Sequence, residues 1–171
     1  MIRQQLIDRL KWYYPLERTH AFLTFPAMIV YMAFHHPFTD ILFLVYGLLV
    51  CILILIQGQH YWKLKLYRLT GKPFDQGYHI GLFQKARKVN LVFIGLIPIM
   101  FIIQLYFNQW SIPTGELFIW ALVANCFAIL EHINYYNIQL MIDNMSDVQY
   151  VLRNKRFKTA SLKKDLMDGE I

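Results

Sequence analysis

Charge is scarce in this chain of 171 residues: Asp, Glu, Lys and Arg make up 16% of it, against about 25% in an ordinary soluble domain. Apolar residues make up 57%, where a soluble domain carries about 45–50%. A small globule in water must cover itself with polar groups, so this shortage excludes a purely soluble fold. Cysteine is almost lacking. Cys51 and Cys126 each stand in the middle of an apolar block, which excludes a disulfide framework and predicts two small buried side chains. No G-x-S-x-G, G-x-x-x-x-G-K-[ST] or G-x-G-x-x-G occurs, so neither a nucleophile elbow nor a phosphate loop is indicated. Paired Glu-x-x-His and H-E-x-x-H motifs are missing too, so no metal-ligand set is expected, and the cofactor, if one is bound, is not named by the residues. The adjacent His35 and His36 would point about 100° apart on a helix and could not share an ion. The first twenty residues are too charged for a cleavable leader, and the first span is expected to act as an uncleaved anchor.

Four apolar segments are present: Ala21–Phe34, Ile41–Tyr61, Val89–Phe107, and one from Leu117 that runs into EHINYYNIQL. A helix needs about 20 residues to cross ~30 Å of hydrocarbon, and only helices or closed barrels satisfy their backbone there. The expected fold is therefore an all-α membrane protein, a four-transmembrane-helix bundle with spans near 20–37, 41–62, 89–108 and 116–138. All 17 Lys and Arg residues fall before the first span, between the second and third, or after the fourth. The loops HHPFTD and NQWSIPTGE carry none. Positive charge stays on the side of synthesis, so both termini are expected in the cytosol, as in a bacterial inner membrane.

Three parts follow: an interfacial amphipathic segment 1–18, a transmembrane domain 19–145 and a basic cytosolic tail 146–171. In the first part Ile2, Leu6, Leu10 and Tyr13 recur at helical spacing, with Arg3, Arg9 and Lys11 elsewhere on the turn and Pro15 as the expected end. The tail opens with a capping-box pattern, Ser146 to Gln149. Its Arg153, Lys155, Arg156 and Lys158 are the candidate contact to anionic lipid of the inner leaflet. Topology already explains the net +6, so no nucleic-acid partner is expected.

The chemistry-bearing residues gather at the cytosolic ends of the second and fourth spans. Asn125, His132, Tyr136, Gln139 and Asp143 would share one helix face, with Glu131 and Tyr135 at its margin. Gln57 and His60, three apart, share a face of the second span, and Asn90 opens the third at similar depth. Polar residues are costly in a span and usually face the bundle interior. The expected pocket comprises Gln57, His60, Asn90, Glu131, His132, Asn134, Tyr136 and Gln139. Trp62, Tyr61 and Tyr135 read as an aromatic belt. The outer-loop residues Gln104, Asn108, Gln109 and Glu116 read as rim. The leading functional expectation is a small multi-pass protein that binds lipid or a membrane partner, alone, as a homo-oligomer or in a larger complex. Alternatives are a proton-coupled transporter or channel subunit, and a membrane enzyme acting on a lipid.

Overall fold

The computed structural model describes residues 2–112, 115–142 and 144–171, with the side chains of Ile2, Arg3 and Gln5 left aside. Every regular element is helical. In order these are α1 (Ile2–Thr19), a π-helical turn (His20–Thr24), α2 (Phe25–His35), α3 (Phe38–Thr70), α4 (Gln76–Phe107), α5 (Glu116–Tyr136), α6 (Met145–Asn154) and α7 (Ser161–Asp168). Three of them, α3, α4 and α5, are long and apolar enough to cross a membrane. The π turn divides the N-terminal helix, and neither α1 nor α2 qualifies by itself.

Helix α3 is the hub. It packs against α5 along most of its length, against α4 and against the whole N-terminal helix, while α4 and α5 touch each other little. Its interior face is Ile41, Leu44, Leu48, Cys51, Ile54, Tyr61 and Leu64, all buried. At 33 residues, about 50 Å, it outlasts a ~30 Å bilayer by several turns. Helix α4 does the same from the other end. The surplus turns of both helices, the loop that joins them, α1 and the tail carry every Lys and Arg, and together they form a basic end.

Several sequence expectations are corrected here. Pro15 does not end the first helix; it lies inside α1, and the chain stays helical to His35. Proline removes one intrahelical bond without preventing a helix that tertiary contacts hold, and α1 is clasped along the last turns of α3 with Leu10 buried. The basic loop shrinks to Gly71–Asp75, because Asp75 caps α4 by accepting from the Tyr78 N–H at 2.9 Å. Helix α5 stops at Tyr136, so Gln139 leaves the face expected to hold it: its N–H donates to the Lys158 C=O at 2.8 Å, beside an Ile138–Thr159 bridge. Asp143, expected on the same face, lies outside the described residues. The cap of α6 is Asn144, whose side chain accepts from Asp147 N–H, and Ser146 sits in the first turn. Cys126 is exposed, not buried.

The tail is no free arm. Leu162 and Ile171 are buried at the basic end, and Asp165 of α7 accepts from Tyr61 Oη and pairs with Lys65 Nζ, both at 2.7 Å on α3. Of the four expected lipid contacts, Lys158 is engaged, its Nζ 2.5 Å from the buried Asp147; Arg153, Lys155 and Arg156 are exposed.

At the opposite end Gln104 is not a rim residue. It is 2% exposed and bridges the Phe43 N–H, accepted at 3.1 Å, and the Thr39 C=O, donated to at 2.5 Å. Asn125 donates to the carbonyls of Phe43 and Ala121, each at 2.8 Å. Amides lock the helices there.

Candidate functional site

The structure splits the expected pocket into three groups and leaves Gln139 with the tail. The first part ties α3, α4 and α5 together. Gln57 and Asn90 exchange reciprocal amide hydrogen bonds of 2.8 and 2.7 Å, and Tyr136 Oη donates to Gln57 Oε1 at 2.7 Å. His132 stacks on Tyr136 with ring centroids 5.0 Å apart, buried, and its Nδ1 meets no partner among the described residues. Every polar atom of the amide pair that can face the interior is used, which is the pattern of a structural clasp. Asn90→Leu should strand Gln57 and cost about 1–3 kcal/mol. Adding Gln57→Leu should restore part of that loss, as thermal unfolding of the single and double variants in detergent will reveal. Additive losses would refute the clasp.

His60 belongs to a second group. Its Nε2 lies 3.1 Å from Nδ1 of His79 on α4, one ring donating and the other accepting, with Phe83 alongside. No set of three or more His, Cys, Asp or Glu suited to a metal occurs among the described residues.

The third part is the one that opens. Between the N-terminal helix and α5, with α3 as floor, runs a groove of about 600 Å³. Leu16, Phe25, Leu55, Phe127 and Leu130 form its apolar walls, and Glu17, His20, Glu131 and Asn134 its polar end. Asn134 also braces the chain leaving α5, its Oδ1 accepting from Leu140 N–H at 2.9 Å. The π turn lies in the wall, with His20 Nδ1 3.3 Å from Thr24 Oγ1; such turns are frequent at functional sites.

Glu17 is the centre of this end, and sequence reasoning missed it. Its Oε1 accepts from Tyr135 Oη and, at 2.8 Å, from Trp62 Nε1, so two residues read as an aromatic belt are in fact its ligands. Its Oε2 is buried without a hydrogen-bond partner among the described residues. Burial pushes the carboxyl from its ordinary 4.5 up to about 7; the two hydrogen bonds oppose this, and the charge of Glu131 adds to it. The cluster closes only because position 58 is glycine: a Cβ there would meet the Tyr135 phenol and stand 2.9 Å from Glu17 Oε2. A signal existed. Tyr13, Glu17, His20 and Thr24 recur at four, three and four residues, a polar stripe that continues one helix face past Pro15 into the first apolar segment. Of the eight expected pocket residues, Glu131 and Asn134 line this groove, and Gln57, Asn90, His132 and Tyr136 lie in the clasp. His60 is with His79, and Gln139 is with the tail. No family model, curated protein or solved structure matches this chain, so the geometry of its own residues is what speaks for its role.

Proposed function

We propose that this chain is a four-span plasma-membrane protein with both termini in the cytosol, and that it binds one aminophospholipid laterally in the groove between its N-terminal helix and α5. The four-span reading is supported by α2: Phe25, Met28, Ile29 and Met32 pack beside Phe43, Leu44 and Leu48, at the depth of the apolar part of α3. With α2 in the bilayer, all 17 cations lie on one side.

The observation that carries the lipid reading is the buried Glu17 carboxyl with one oxygen unpartnered at the polar end of an apolar groove. An ammonium headgroup supplies the missing donor and a countercharge for Glu17 and Glu131, and acyl chains suit the walls. The volume lies within the ~300–1,000 Å³ of ordinary ligand pockets. A carboxyl poised near neutral pH would also serve a proton-coupled carrier, but a carrier needs a route to the far side. There Phe43, Leu44, Leu48, Ile97 and Ala121 fill the bundle, Gln104 bridges Phe43 and Thr39, and the Asn125 amide nitrogen donates to the Phe43 and Ala121 carbonyls, which weighs for binding over transport.

Native mass spectrometry of the full chain in mild detergent tests this. Phosphatidylethanolamine should be retained in preference to phosphatidylcholine. Glu17→Gln, which keeps the acceptor for Tyr135 and Trp62 but removes the charge, should lower that preference about tenfold. Leu130→Trp, which fills the groove, should lower retention of both. Equal retention of the two lipids by the wild-type protein would refute the reading, and a terminal reporter found outside the cell would refute the topology.

A further inference from the structure

A second groove, of about 640 Å³, lies between α4 and α7 on a different face of the basic end. Lys85, Arg87, Lys88 and Lys163 line it together with Leu91, Leu166, Met167 and Tyr136. We infer that this groove holds the phosphodiester of an anionic phospholipid, gripped by Lys85, Arg87 and Lys88 from α4 and by Lys163 from α7. The inference rests on the membrane placement proposed above, and not on the aminophospholipid groove.

Three observations carry it. The first is where the acids go. At this end Lys65 pairs with Asp165, Arg68 with Glu170 and Lys158 with Asp147, whereas the four groove cations have neither an ion pair nor a hydrogen bond among the described residues. Charge that only reported topology would need no gathering, yet folding brings Lys163 from the far end of the chain to line one groove with Lys85, Arg87 and Lys88 of α4. The second is the company these cations keep. Leu91 is 51% and Met167 71% exposed beside them, an arrangement that water or a nucleic acid would not reward. The third is depth. Arg87 and Lys88 stand immediately before the apolar Val89–Phe107 stretch of α4, so a phosphate between them would sit at the headgroup level, with its acyl chains along the exposed Leu91 and Val92. The exposed tail residues Arg153, Lys155 and Arg156 line neither this groove nor the lateral one.

The test uses the full chain in nanodiscs of phosphatidylcholine with and without phosphatidylglycerol, read by native mass spectrometry of the ejected complexes. Wild-type protein should carry phosphatidylglycerol selectively. Lys163→Gln, the variant farthest from the topology-setting segment, should weaken that binding about fivefold, and Lys85→Gln/Arg87→Gln/Lys163→Gln more than tenfold. Arg153→Gln/Lys155→Gln/Arg156→Gln removes as many charges from the tail and should change it less than about twofold. Equal losses in the groove and tail variants would mean a diffuse field and overturn the site, as would unchanged binding by Lys163→Gln in protein whose melting in phosphatidylcholine is normal. Selective phosphatidylglycerol binding without phosphatidylethanolamine retention would uphold this site and overturn the lateral groove; the converse would overturn this site alone.

Discussion

Gly47→Val is expected to be the most damaging single substitution in the bundle, lowering the unfolding midpoint in detergent by the equivalent of about 3 kcal/mol or more. Helices α3 and α5 approach each other closely here. A Cβ on residue 47 would stand 2.7 Å from Asn125 Nδ2, 2.8 Å from its Cγ and 2.8 Å from its backbone nitrogen. A side-chain tip can turn aside, but a backbone nitrogen moves only if the helix moves. Separating the helices would also pull Asn125 from the Phe43 carbonyl and Cys51 from the Ala124 carbonyl, which it reaches at 3.4 Å. Gly95→Ala is the internal control. Nothing lies within 4 Å of its added methyl, and helix propensity should stabilise that variant by up to about 1 kcal/mol. Thermal unfolding of both variants reads the contrast. A Gly47→Val protein as stable as the parent would show that the crossing is wider than described.

Glu17 should make the docking of α1 depend on pH in the direction opposite to that of an ordinary ion-paired carboxylate. Its carboxyl titrates near 7 when docked and near 4.5 when released to water, so between those values the folded state holds a proton that the released state has lost. Stability from this group is therefore complete below about pH 4.5 and declines as pH rises through 7, by on the order of 3 kcal/mol in all. Subtracting the profile of Glu17→Gln, which cannot titrate, isolates the contribution from every other group. The difference curve should fall between pH 4.5 and 7 and level off above. Proteolysis of α1, or hydrogen exchange over α1 and the final turns of α3, would report it directly. A curve rising over that range would mean that hydrogen bonds from Tyr135 and Trp62 outweigh burial.

Much of the architecture was legible in the one-dimensional pattern because the constraints involved are local or additive. Apolar runs of some twenty residues mark α3, α4 and α5 whatever they pack against, since a lone backbone in hydrocarbon has to be helical. The segregation of cations into three stretches needs only counting. Helix limits were less legible. Apolarity stops at the headgroups while a helix does not, so α3 and α4 run on into their basic turns, and α1 survives Pro15 because α3 receives it. The end of α5 at Tyr136 was hidden by the helix-compatible EHINYYNIQL, whose last residues are drawn into a bridge with Thr159, well beyond the reach of any helical period.

The candidate sites divide along the same line. That polar residues would meet at the basic ends of the second and fourth apolar segments followed from the cost of burying them. Which of them meet did not. Gln57 with Asn90, His60 with His79, and Glu17 with Tyr135 are separated by 33, 19 and 118 positions, and no periodicity reaches so far. Hydropathy and charge act on each residue through its solvent, so the order of residues alone determined a helical protein apolar enough to cross a membrane, with a basic end. Pairing acts through distance in space, and only the packed helices decided that a glutamate outside the first apolar segment, admitted by the missing side chain at Gly58, would occupy the head of the groove.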